Sequence, residues 1–224
     1  MKRLIFSMLI FAALRVAASA SQVNGTIKVN GQSGRAPVTV VVYAEPLGQS
    51  VPSKPGRFKL AQQNKSFSSK ILAIPAGSTV DFPNLDPIFH NVFSLSRPAS
   101  FDLGLYRAGA SKSRVFAEPA TYRIFCNIHP QMTAVVLVLP TPYITQREGA
   151  GAYRLDLPSG RYRVTAWSER AQSASTEITV AEDVSSIPDL TLDESKYVEL
   201  PHKNKFGQDY PKSAYDPTKD AAPR

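Results

Sequence analysis

The sequence predicts an all-β protein built as two successive sandwich-like units. Short apolar runs with a two-residue period dominate from Val23 onward. Turn signals cut these runs at Asn30-Gly31, Pro55-Gly56, Pro75-Ala76-Gly77, Asp86-Pro87 and Ala108-Gly109. That rhythm suits an antiparallel sandwich or Greek-key barrel. No stretch sustains a 3.6-residue period between caps, and 18 prolines against 12 glycines disfavour a helical bundle.

In chain order, the first twenty residues are expected to be a cleavable export signal. Lys2 and Arg3 form a basic start, Leu4 to Leu14 an apolar stretch, and Ala18-Ser19-Ala20 the small residues of a cleavage site. The apolar stretch is too short for a bilayer, which needs about 20 residues. The mature chain then belongs in the periplasm or outside the cell, with no membrane span of its own. The leader takes three positive charges from the formal +8, so the remainder carries +5. Its Lys and Arg are scattered, which argues against nucleic-acid binding and leaves room for an acidic partner.

Strands are expected at Gly25–Val29, Val38–Ala44, Ser66–Ile74, Thr79–Pro83, Asn91–Ser94, Lys112–Ala117, Thr121–Cys126 and Met132–Leu139. These make a first domain over residues 21–140. After Thr141-Pro142 the pattern restarts in Tyr153–Leu157, Arg161–Trp167, Thr176–Val180 and Leu190–Leu192. A small β unit over 141–199 follows, expected to pack on the first through Tyr162, Val164 and Trp167. Residues 200–224 lack apolar periodicity and read as a flexible basic tail, in which His202 is assigned no ligand role.

Once the leader is removed, Met132 is the remaining methionine and Cys126 the chain's single cysteine. Both fall in TYRIFCNIHPQMTAVVLVL, where Cys126, His129 and Met132 are spaced C-x-x-H-x-x-M between two strands. Upstream, His90-Asn91 sits at a loop-to-strand junction after Asp86-Pro87. Singly, a Cys or Met is ordinary core filling and a His is ordinarily hydrogen-bonded. Together, two imidazoles, a thiolate and a thioether form a set that suits copper cycling between Cu(I) and Cu(II). Zinc prefers a stronger fourth ligand than a thioether. One cysteine also excludes an internal disulfide, an all-thiolate zinc site and an iron–sulfur cluster.

Gly77-Ser78-Thr79-Val80-Asp81-Phe82-Pro83-Asn84, His90-Asn91-Val92 and Cys126-Asn127-Ile128-His129-Pro130-Gln131-Met132 resemble the cupredoxin, or type 1 blue copper, family. The two residues between His129 and Met132 are similar to the amicyanin loop. The resemblance spans Ser66 to Leu139, with Val23 to Leu60 similar only in strand pattern. It implies a Greek-key sandwich holding one mononuclear copper. His90, Cys126 and His129 would be equatorial ligands, Met132 the axial one, and Asn91 a brace for the cysteine loop. It also implies electron exit through His129, flanked by Ile128 and Pro130. The C-terminal unit resembles carboxypeptidase-regulatory or prealbumin-like modules. The combination resembles bacterial methylamine-utilisation or plastocyanin-like proteins, although no residue here points to methylamine.

The expected function is therefore an exported monomeric one-electron carrier between redox partner proteins. The alternatives are a copper-binding or delivery module, or an extracellular binding protein on the same scaffold. A single mature methionine argues against delivery through exposed Met-rich loops. An enzyme is not expected, because three histidines cannot equip a second copper centre and no oxyanion motif accompanies Cys126.

Overall fold

The computed structural model describes residues 20–31, 34, 36–48, 50–181, 186–199 and 201–210. Residues 1–19 of the expected leader, and the tail from residue 211, lie outside them. The described residues contain no helix. The first nine strands are β1 (Ser21–Asn30), β2 (Thr39–Pro46), β3 (Arg57–Lys59), β4 (Gln62–Gln63), β5 (Ser66–Phe67), β6 (Ile71–Pro75), β7 (Ser78–Pro83), β8 (His90–Ser94) and β9 (Phe101–Tyr106). Then come β10 (Ser111–Phe116), β11 (Ala120–Phe125), β12 (Thr133–Leu139), β13 (Ile144–Glu148), β14 (Gly151–Leu157), β15 (Gly160–Ser168), β16 (Ala171–Val180) and β17 (Leu190–Asp193).

Four sheets carry the fold, ordered β14-β1-β17, β13-β2-β15-β16, β6-β12-β11-β8-β9 and β10-β7-β3. Their side chains form three cores. Val23, Ile27, Leu155 and Leu192 meet Val40, Val42, Tyr162 and Val164 between the first two sheets. Val41 and Trp167 meet Ile71, Val135 and Leu137 between the second and third. Ile124, Val136 and Val138 meet Val80, Phe82 and Phe116 between the third and fourth. Each fully buried aliphatic side chain contributes about 1.5–3 kcal/mol of transfer energy.

Two strands explain how the layers join. In β2, Val40, Val42 and Ala44 face one core while Val41 faces the next. In β12, Ala134, Val136 and Val138 face the core that contains Cys126 and Met132, and Val135, Leu137 and Leu139 face the opposite way. A strand covered on both faces loses apolar–polar alternation, so both read as unbroken hydrophobic runs.

The strand pairing departs from the division expected at residue 140. β1 pairs with β14 and β17, and β2 pairs with β13 and β15. Residues 21–46 therefore complete the C-terminal unit, in a different core from Cys126 and Met132. Of the three expected packing residues, Tyr162 and Val164 fill that unit's own core, and Trp167 lies between the second and third sheets. Strand alternation turns Val164 and Trp167 to opposite faces. The expected strand Ser66–Ile74 is broken into β5 and β6. Nor do all of residues 200–224 form a free tail, because 201–210 lie on the loop after β11, as described below.

Candidate metal centre

The site sits at one end of the third sheet, where β11 ends and β8 begins. Phe125 pairs with Phe93 across these strands, which brings Cys126 beside the start of β8. The loop from Cys126 to Met132 is tied internally. The Cys126 amide donates to the Met132 carbonyl at 3.2 Å, and the Met132 amide donates to the His129 carbonyl at 3.0 Å. His90, Cys126 and Met132 are fully buried, while His129 is partly exposed.

Three of the four expected ligands present their donor atoms to one point. Cys126 Sγ lies 3.9 Å from His90 Nδ1 and 3.7 Å from His129 Nδ1, and the two Nδ1 atoms are 3.1 Å apart. A point equidistant from all three is about 2.1 Å from each, the length of a metal–imidazole bond and close to a metal–thiolate one. The two rings meet edge to face at 61°. Among the described residues, these three form a cluster of His and Cys side chains able to hold a metal ion. Met132 packs in the same core as Cys126.

His90 is oriented by a residue that sequence reasoning treated only as a turn former. Its Nε2 lies 2.7 Å from Asp86 Oδ2. The bond places the ring proton on Nε2 and leaves the Nδ1 lone pair for a metal. Asp86 also accepts from the Asn64 amide at 2.6 Å and the Lys65 amide at 2.9 Å. Those amides belong to the two-residue turn joining β4 and β5, where Asn64 and Lys65 have φ of 54° and 52°. Burial alone would raise the Asp86 carboxyl, but the Lys65 and Asn64 amides and the His90 ring outweigh it and hold it low. Buried Asn84 shapes the approach, donating to the Ile88 and Tyr106 carbonyls and accepting from the Asp86 amide.

Asn91 joins β8 to the cysteine loop. Its Oδ1 accepts from the Asn127 amide at 3.3 Å, and its Nδ2 donates to Asp102 Oδ1 at 2.7 Å. Burial pushes the Cys126 thiol up, and the amides of Asn91, Ile128 and His129 act in the opposite sense. A buried sulfur is costly as a free thiolate, and a metal cation offsets the part of that cost that the amides leave. The residues present therefore fit a thiophilic ion held by two imidazoles.

Two aromatic residues missed at the sequence level reach the loop from outside. His202 Nε2 donates to the Pro130 carbonyl at 2.6 Å, and the ring stacks on Phe125 at 4.3 Å. The Tyr210 hydroxyl donates to the Cys126 carbonyl at 2.9 Å. The sequence holds no local signal for either contact, because 72 and 84 residues separate the partners.

No protein-family model matches the chain, and no curated protein matches it. Among solved structures it is similar to a purple cupredoxin from Nitrosopumilus maritimus, with 26% identity over 36% of this chain and 98% of that one, TM-score 0.34. It is similar to a copper-containing nitrite reductase from Thermus scotoductus SA-01, with 25% identity and TM-score 0.35. That match covers 42% of this chain but only 25% of the reductase. A methionine-to-alanine mutant of amicyanin in its Cu(I) state shows 21% identity over 43% of this chain and 99% of that one, TM-score 0.35. Among the described residues, no helix is long and apolar enough to cross a membrane.

Proposed function

We propose that this chain is an exported cupredoxin that binds one type 1 copper and carries single electrons between redox proteins. The observation that supports this most is the triangle of His90 Nδ1, Cys126 Sγ and His129 Nδ1 around a common point. Met132, in the same core as Cys126, would be the weak fourth donor that the family resemblance implies. A copper ion held by these residues would supply a one-electron couple between Cu(I) and Cu(II).

The protein's own residues perform the rest. His90, fixed through Asp86, and Cys126, ringed by amides, hold their donor atoms in place through a change of oxidation state. Rigid ligands keep reorganisation small. His129 is the ligand that reaches the surface, beside the 38%-exposed Ile128, and forms the contact point for a partner. We read the protein as a carrier and not an enzyme. Two of its three histidines serve this site, and the third donates to Pro130.

Voltammetry of the copper-loaded protein, paired with competition against a Cu(I) chelator, tests the carrier reading. A reversible one-electron wave with copper retained is the expected result. Stoichiometric surrender of Cu(I) without a reversible wave would make the protein a delivery module.

A further inference from the structure

Residues 201–210 are tied to the metal loop at three separate residues. His202 donates to the Pro130 carbonyl, the Lys205 amide donates to Asn127 Oδ1 at 3.0 Å, and Tyr210 donates to the Cys126 carbonyl. The segment has a fold of its own. Asn204, nearly buried, accepts through Oδ1 from the Phe206 and Gln208 amides, and its own amide donates to the Gln208 carbonyl. The rings of Phe125, His202 and Tyr210 then pack in series, at 4.3 and 5.2 Å.

A closed circuit of polar contacts joins this segment to β8. Lys205 Nζ reaches Asp102 Oδ2 at 2.6 Å, Asp102 Oδ1 accepts from Asn91, Asn91 accepts from Asn127, and Asn127 accepts from Lys205. None of these contacts uses a metal-binding atom. They hold the loop that carries the donors.

We infer that residues 201–210 are a strap that pre-forms the ligand loop, with His202 and Tyr210 as positioning residues. The loop between two strands has few bonds of its own, and its Cys126 and Pro130 carbonyls are taken by strap side chains. Fixing a loop before its ligand arrives lowers the ordering cost of binding and slows escape. The strap therefore keeps the metal-free loop closed and retards metal loss. The second half of this statement rests on the copper reading above, and the first does not.

The test compares the full chain with His202→Ala/Tyr210→Phe, with Phe206→Ser as a strap control whose side chain is 70% exposed. Amide hydrogen exchange at residues 127–133 is measured on metal-free protein. The double variant is expected to exchange there about tenfold faster or more, as loss of two hydrogen bonds implies, with Phe206→Ser unchanged. His202→Gln, which restores a donor to the Pro130 carbonyl, is expected to recover part of the protection. Exchange equal to the parent's overturns the strap, whatever the protein does with copper. In copper-loaded protein, the double variant is expected to release Cu(I) to a chelator about tenfold faster. Equal release overturns the claim that the strap retains metal. A parent that takes up no copper fails the copper reading and leaves the exchange result standing.

Discussion

At the scale of single residues, Asp86 orients His90 within the candidate site. Asp86→Asn keeps the shape but removes the charge that fixes the His90 tautomer and receives two backbone amides. Outer contacts of this kind are worth about 10–100-fold in metal affinity, so copper binding is expected to weaken by that factor in a competition titration. Asp102 makes a pH-dependent contribution. Burial would raise its carboxyl, but Lys205, Asn91 and the Gly104 amide outweigh it and hold it below the ordinary aspartate range. A lowered carboxyl stabilises the fold above about pH 4 and loses that contribution as acid protonates the folded form. The melting-temperature gap between the parent and Asp102→Asn is therefore expected to be full at neutral pH and to close below about pH 4. The gathering of His90, Cys126 and His129 was legible because the motif spacing lies between strand-like flanks. Asp86 was not, since its partners sit in a turn more than twenty residues upstream and an Asp before a Pro reads as a turn.

At the scale of elements, β2 and β12 carry the layering. Leu137 lies between the second and third sheets, and Leu137→Ala is expected to cost about 2–5 kcal/mol in chemical denaturation. Val198→Ala, at a residue 72% exposed, is expected to stay within about 0.5 kcal/mol of the parent. The long strands were readable because burial on one or both faces leaves a strong apolar signature. β9 and β13 escaped, being edge strands with mixed polar and apolar residues, FDLGLY and ITQRE. β3 and β4 have only two or three residues each, too few for any period to register, and β5 registered only as the start of the Ser66–Ile74 run.

At the scale of the whole molecule, the chain is interleaved. β1 runs antiparallel to β14 and parallel to β17, so the first strand is completed only by the last ones. Local patterning shows where strands are and says little about which distant strands pair, which is why residues 21–46 read as part of the first unit. A fragment of residues 141–199 lacks β1 and β2 and leaves Tyr162, Val164 and Leu192 without their partners. It is expected to show an unfolded circular-dichroism spectrum. The interleaving holds the scaffold from which the ligand loop, Asp86 and the strap converge.

The proposed function requires that His90, Cys126 and His129 bind one copper through a thiolate. Titration with Cu(II), followed by visible absorption and electron paramagnetic resonance beside a Cys126→Ser variant, tests it most directly. Stoichiometric binding with intense colour and a narrow copper hyperfine splitting, both lost in the variant, is the expected result. Weak, colourless binding that ignores the Cys126 substitution would contradict it.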